Sequence, residues 1–443
     1  MSIPKIAGRY WTNNTEGEFL IGGMKISLLA ARYGTPLFVY DRAVVEKKYL
    51  ALRHALPGRF AISYSVKANP NPAFLRCFLE KGCGLEIASA GEFHLARNVG
   101  CPLEKIVFAG PGKTEAELKL VITQGIGAIH AESALEIDRI SAISREAGQR
   151  TRVALRVNPN EAGQGGAMHM GGKSAPFGVD EEQMDPLALR IASDPHLEFW
   201  GIHLFAGTQI LDHKLLLDQY RKGLEIGRHA AALLGAPLAT LDFGGGLGIP
   251  YFPGDSELDM RQLGAGQEEL FESVTDSCFA NTKFMVEPGR FLVGEAGVYV
   301  TRITDIKTSR GKKYVILDGG MNHHLAASGN LGQVIKRNFP MAILNKLDIA
   351  ETETVDVVGP LCTPLDTLGR SVTWPPAEVG DLVGIFQSGA YALTASPVGF
   401  LSHPSPPEVW VEGSSDFLIR RRGNPEDCMQ DIQVVGADLE SGS

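Results

Sequence analysis

The chain is short of several things that would fix a function class at once. Its six cysteines, Cys77, Cys83, Cys101, Cys278, Cys362 and Cys428, are scattered without a CxxC pair or an accompanying histidine pattern. That argues against a disulfide framework and against a metal site, and fits free thiols in a reducing compartment. No apolar run reaches membrane-spanning length and the N-terminus MSIPKIAGRYW has no basic-then-apolar leader, so the expectation is a cytoplasmic protein with no membrane partner. No basic block is present either. A net charge of −9 is spread over interspersed acids and bases, which leaves no stripe for a nucleic acid. Two nucleotide motifs fail by one residue each. Ile249 stands where GGGLG would need the third glycine of GxGxxG, and Val107 where GPGKT would need the first glycine of a P-loop.

What is present is length and rhythm. With 443 residues, 44% of them apolar, the chain can bury two sizeable cores. Eight strand-like segments follow one another: FAISYSV, GLEIAS, KIVFAG, GAIHAE, RVALRVNP, FWGIHLFAG, TLDFGGG and KFMVEPGR. Most are separated by helical stretches such as TEAELKLVITQG and ALEIDRISAISREAG. That alternation predicts an α/β fold built on a parallel (β/α)₈ barrel, over residues 36–290. After Arg290 the rhythm turns to strands with period-two alternation and recurring turns, from EAGVYVTRITDI to DFLIRRR. Residues 1–35 with 291–423 are therefore expected to form an antiparallel β domain, and 424–443 a mobile tail.

In a β/α barrel, chemistry gathers where the strands end. Lys67 closes the first strand, Glu86 lies in the second, Arg156 and Asn158 end the fifth, and His203 is in the sixth. Gly244, Gly245 and Gly246 end the seventh, and Glu287 with Arg290 ends the eighth. A lysine at a buried strand end is costly unless it is paired, deprotonated or used covalently, which points to a Schiff-base nucleophile. Three glycines leave backbone amides open to a phosphate, and a guanidinium suits the same group. Each feature alone has a plainer explanation: a snorkelling lysine, an ordinary turn, a surface ion pair around Pro288–Gly289, a satisfied core histidine. In the β domain, Cys362 sits among turn residues in GPLCTPLD and competes for a proton-donor role, while Tyr391 in GAY could donate to a phosphate.

Read in order, YSVKAN, GLEIASAGE, GGGLG, EPGR, GPLC and GAY resemble the fold-type III pyridoxal phosphate decarboxylases, the family of diaminopimelate, ornithine and arginine decarboxylases on the alanine-racemase-like barrel. The resemblance implies pyridoxal 5'-phosphate held by Lys67, with Glu86 and Arg156 in the cofactor site. It places Gly244, Gly245, Gly246, Arg290 and Tyr391 around the phosphate, Glu287 on the ring nitrogen and His203 against the ring face. It further implies a head-to-tail homodimer in which Cys362 serves the other subunit's cofactor, and places Thr363 and Asp366 at the substrate. Diaminopimelate decarboxylases carry a glutamate after the cysteine and ornithine decarboxylases an aspartate, where this chain has Thr363. A neutral hydroxyl cannot balance a distal ammonium. Ala206 replaces a phosphate-binding serine, and Pro176 a usual lysine. FAGPGKT and FLSHPSPPEV look like a subgroup found in biosynthetic clusters for natural products and exopolysaccharides, including exosortase-associated clusters. The expected reaction is thus α-decarboxylation of a derivatised or carrier-protein-linked amino acid, with diaminopimelate as the runner-up. An amino-acid racemase and a silent regulatory homologue are the competing readings.

Overall fold

A computed structural model of the chain describes residues 3–160, 168, 169, 174–205, 207–331, 333 and 335–433. The eight expected strands form one closed parallel ring. Their order is Phe60–Ser65, Gly84–Ile87, Ile106–Phe108, Ala128–Ala131, Thr151–Asn158, Leu197–Leu204, Thr240–Asp242 and Lys283–Val286. The register Phe284↔Phe60 returns the eighth strand to the first. The strands are nearly uninterrupted apolar runs because both of their faces are covered, and Val153–Asn158 is buried at every residue. Between strands, side chains of Ser89, Thr114, Ser133, Asp212 and Asp259 cap the following helices by accepting backbone N–H bonds.

The period of two along each strand stacks the inward-facing residues in layers. Val107, Ala128 and Met285, with Ala61 and Trp200, plug the floor with apolar groups. Two residues further along the same inward faces stand His130 after Ala128 and Glu287 after Met285. The barrel thus changes from apolar to polar towards the carboxyl ends of its strands, where a site belongs.

The second domain is built on a sheet ordered Thr367–Trp374, Glu353–Val358, Lys312–Leu317, Gly297–Ser309, Leu37–Asp41, Glu408–Glu412 and Ser415–Arg420. Off the long central strand branches Leu382–Ile385, which pairs Met341–Ile343. Three findings adjust the expectation. The sheet is mixed, because Lys312–Leu317 runs parallel to Glu353–Val358 and Leu37–Asp41 parallel to Glu408–Glu412. Leu37–Asp41, expected at the start of the barrel, pairs on both sides with strands of this domain. And of residues 424–443, Pro425–Met429 forms a 3₁₀ turn while 434–443 lie outside the described residues.

Candidate active site

Lys67 sits on a single 3₁₀ turn, Val66–Ala68, between the first barrel strand and the helix Pro72–Glu80. The prolines and asparagines that follow explain why the chain breaks here. Asn69 donates its side-chain amide to the Gly389 carbonyl at 3.0 Å, Asn71 donates to Glu408 at 2.9 Å, and the Tyr391 amide donates to the Ala68 carbonyl at 2.8 Å. The lysine turn is therefore clamped to the β domain. Its ammonium donates to both oxygens of Glu86, at 2.9 and 3.0 Å, and Ser65 donates to the same carboxylate. The Lys67 side chain is 47% exposed, so its amine is accessible even though protein groups crowd around it. Burial disfavours its charge, but Glu86, Tyr391 and Glu287 outweigh that and hold its pKa above the ordinary lysine value. Glu92, on the helix Ala90–Asn98, accepts the Ala88 amide at 2.7 Å in the same region. Burial, reinforced by Glu86, pushes its carboxyl up to about 7.

The glycine run fits a phosphate. A Cβ on Gly244 would lie 2.3 Å from the Leu204 carbonyl, on Gly245 2.6 Å from that of Glu287, and on Gly246 2.9 Å from that of Gly207. No side chain can stand there, so the backbone is left uncovered. The Gly244 amide donates to Asp242, whereas those of Gly245 and Gly246 donate to no protein acceptor among the described residues. Arg290 completes the cradle, donating to the Tyr251 hydroxyl at 2.8 Å with its guanidinium 4.7 Å from the Tyr391 ring centre. Its Nε is buried without a partner among the described residues. Unpaired buried donors around an open backbone are what an anion would satisfy. Ala206, expected to cost a phosphate donor, lies outside the described residues.

Behind the cradle lies the polar layer of the barrel. His203 stacks on His130, ring centres 4.3 Å apart and 27° from parallel, so a further ring can stack only on its other face. Burial pushes His203 down to about 3, with Arg156 adding to it, and lowers His130 well below the ordinary value. Both rings are neutral. Glu287 approaches His203 Nε2 at 3.2 Å without the alignment of a hydrogen bond, and His130 Nδ1 at 3.7 Å. Asp242 completes the layer, and His130 and Asp242 are the site groups that the strand-end reading does not single out. The signal was present in parity: His130 is two residues before Glu132, and Asp242 two before Gly244.

Arg156 is anchored by Glu132 at 2.8 Å, between the rings of Phe177 and Phe205. The lysine of GPGKT belongs to the same network. Lys113 turns inward and donates to the carbonyls of Gly110 and His130, both at 2.7 Å, and to Glu136 at 2.6 Å. Glu136 accepts the Glu132 amide at 2.9 Å. A motif that imitates a nucleotide loop is here a buried brace for two strand ends.

Cys362 and Thr363 lie elsewhere, on a loop of the β domain, with Cys362 exposed. The loop is held within its own domain: Thr363 accepts the Leu365 amide at 3.3 Å, and Asn330 donates to the Leu365 carbonyl at 3.0 Å. Asp366, expected to meet substrate, is 3% exposed and accepts the amides of Met321 at 2.6 Å and Leu361 at 2.9 Å. It braces the loop, because two buried amides would otherwise lack an acceptor.

A barrel with a lysine at the first strand end, an anion cradle at the seventh and a carboxylate at the eighth can hold a phosphate-bearing cofactor beside an amine. Residues 42–294 match the family model described as pyridoxal-dependent decarboxylase, pyridoxal binding domain. The L-glutamyl-[BtrI acyl-carrier protein] decarboxylase of Niallia circulans is 37% identical over 422 residues, covering 95% of this chain and 97% of that one. A diaminopimelate decarboxylase of Aquifex aeolicus is 33% identical, over 92% of this chain and 94% of that one. The crystal structure of diaminopimelate decarboxylase from M. jannaschii with L-lysine superposes with a TM-score of 0.87 at 27% identity, covering 97% and 99% of the two chains. The chain belongs to the pyridoxal-dependent decarboxylases. It is a carboxy-lyase, and its cofactor is pyridoxal 5'-phosphate.

Proposed function

We propose that the enzyme removes the α-carboxylate of an amino acid carried on an acyl carrier protein, with glutamate as the foremost candidate. The observation that carries this is the near full-length similarity to a decarboxylase named for a glutamyl carrier-protein substrate. Thr363 supports it, since a hydroxyl at this position, in place of a carboxylate, does not balance the distal ammonium of a free diamino acid.

The bound cofactor supplies an electron-withdrawing ring that takes up the charge left when CO₂ departs. The protein's part is division of labour. Lys67 tethers the cofactor, and Glu86 receives the proton that its ammonium has to shed. Gly245, Gly246 and Arg290 hold the phosphate end, with Tyr391 alongside. Glu287 holds a proton on the ring nitrogen, and the neutral His203 offers a flat face. Cys362 returns a proton to the α-carbon. Because its loop is fixed within the β domain, we assign it to the site of a second chain, which makes the enzyme a homodimer with shared sites. The exposed Leu331 and Leu365 beside that loop suit such an interface. Free thiols throughout agree with a cytoplasmic home.

The test is CO₂ release from glutamyl carrier protein beside free glutamate, diaminopimelate and ornithine. Turnover confined to the tethered substrate is expected. Efficient release from free diaminopimelate would replace this reading with the runner-up.

A further inference from the structure

Asp242 is fully buried at the end of the seventh barrel strand, and its Oδ1 is taken by the Gly244 amide at 2.9 Å. Its Oδ2 and the Glu287 Oε1 are both buried and without hydrogen-bond partners among the described residues. Ligand atoms of Asp242, Glu287, His130 and His203 all lie within 4.8 Å of one another. The strand ends that carry the two carboxyl groups are tied together, since the Glu287 amide donates to the Gly244 carbonyl at 2.7 Å and the Phe243 amide to that of Met285 at 3.0 Å.

Two ionised carboxylates cannot share so dry a space, so one of them keeps a proton. The groups facing the pair decide which. Glu287, at the barrel mouth, feels the Lys67 ammonium, while Asp242 faces the neutral rings of His130 and His203 and the repulsion of Glu86. Lys283, at the exposed start of the next strand, is a cation that attracts the Asp242 carboxylate.

We propose that Asp242 is a positioning residue: it stays protonated, donates from Oδ2 to Glu287, and so holds Glu287 ionised and aimed at the cofactor's ring nitrogen. This rests on the reading of Glu287 given above. The layer then carries a single negative charge, matching the single positive charge of a protonated ring, and no second buried anion is left uncompensated. Burial, with Glu287 next, does hold the Asp242 pKa well above the ordinary carboxyl value.

Infrared spectroscopy of the apoprotein labelled with ¹³C at aspartate carboxyls reads the proton directly. A protonated-carboxyl stretch is expected at neutral pH in the wild type, missing from Asp242→Asn. Its absence from the wild type overturns the proposal whether or not any variant folds. In equilibrium dialysis of the cofactor, Asp242→Asn keeps a neutral donor and should bind within about threefold of wild type, whereas Asp242→Leu should weaken binding by about tenfold or more. Equal losses in both folded variants, or no loss in the leucine variant, contradict it. Glu287→Gln separates the two claims: normal turnover there refutes the ring-nitrogen reading, while the wild-type infrared band still reports on Asp242.

Discussion

A lysine ammonium gripped by a buried carboxylate must lose its proton before it can attack a carbonyl, so in the proposed mechanism the Lys67–Glu86 pair governs how the site is loaded. Lys67→Ala should abolish covalent cofactor attachment and nearly all turnover. A cofactor adduct that survives borohydride reduction in that variant, seen by intact mass, would move the tether to another lysine. Glu92 makes a second prediction at this scale. Its folded-state pKa of about 7 lies above the ordinary 4.5, so the folded protein holds a proton that the unfolded chain releases. The resulting stabilisation is complete below 4.5 and is lost as pH rises through 7. Thermal unfolding of Glu92→Gln apoprotein should therefore depend less on pH across that window than wild type, and an unchanged slope would mean that Glu92 titrates normally. The strand-end positions of Lys67, Glu287, Arg290 and the three glycines were legible in the sequence because each stands where an apolar run breaks off. His130 and Asp242 were not, since their inward aim depends on strand parity around the closed ring.

At the scale of elements, Asp366 holds the Cys362 loop to its sheet. Removing its carboxylate in Asp366→Ala strands two buried amides and should cost about 1–3 kcal/mol in chemical denaturation, with cofactor affinity unchanged. Unaltered stability combined with a raised KM would restore the substrate role expected from the sequence. The eight barrel strands could be read directly, for alternation with helices leaves few other folds. Leu37–Asp41 could not be placed, because a strand buried at all five residues carries no mark of the sheet it will join. Met341–Ile343 went unread as three residues with no period to show, and Thr367–Trp374 follows so closely on the Cys362 loop that its turn residues mask its start.

For the whole molecule, the clamp between the Lys67 turn and the β domain explains why neither domain holds the site alone. Asn69 and Asn71 bind the barrel to Gly389 and Glu408, yet the Cys362 loop of the same chain stays fastened to its own sheet. The proposed site joins a barrel from one chain to a Cys362 loop from another. Mixing Lys67→Ala chains with Cys362→Ala chains tests it. With random exchange about half the dimers are mixed and each holds one intact site of two, so activity should return to roughly a quarter of wild type. No recovery, despite demonstrated exchange and a severe defect in Cys362→Ala alone, would contradict the shared site.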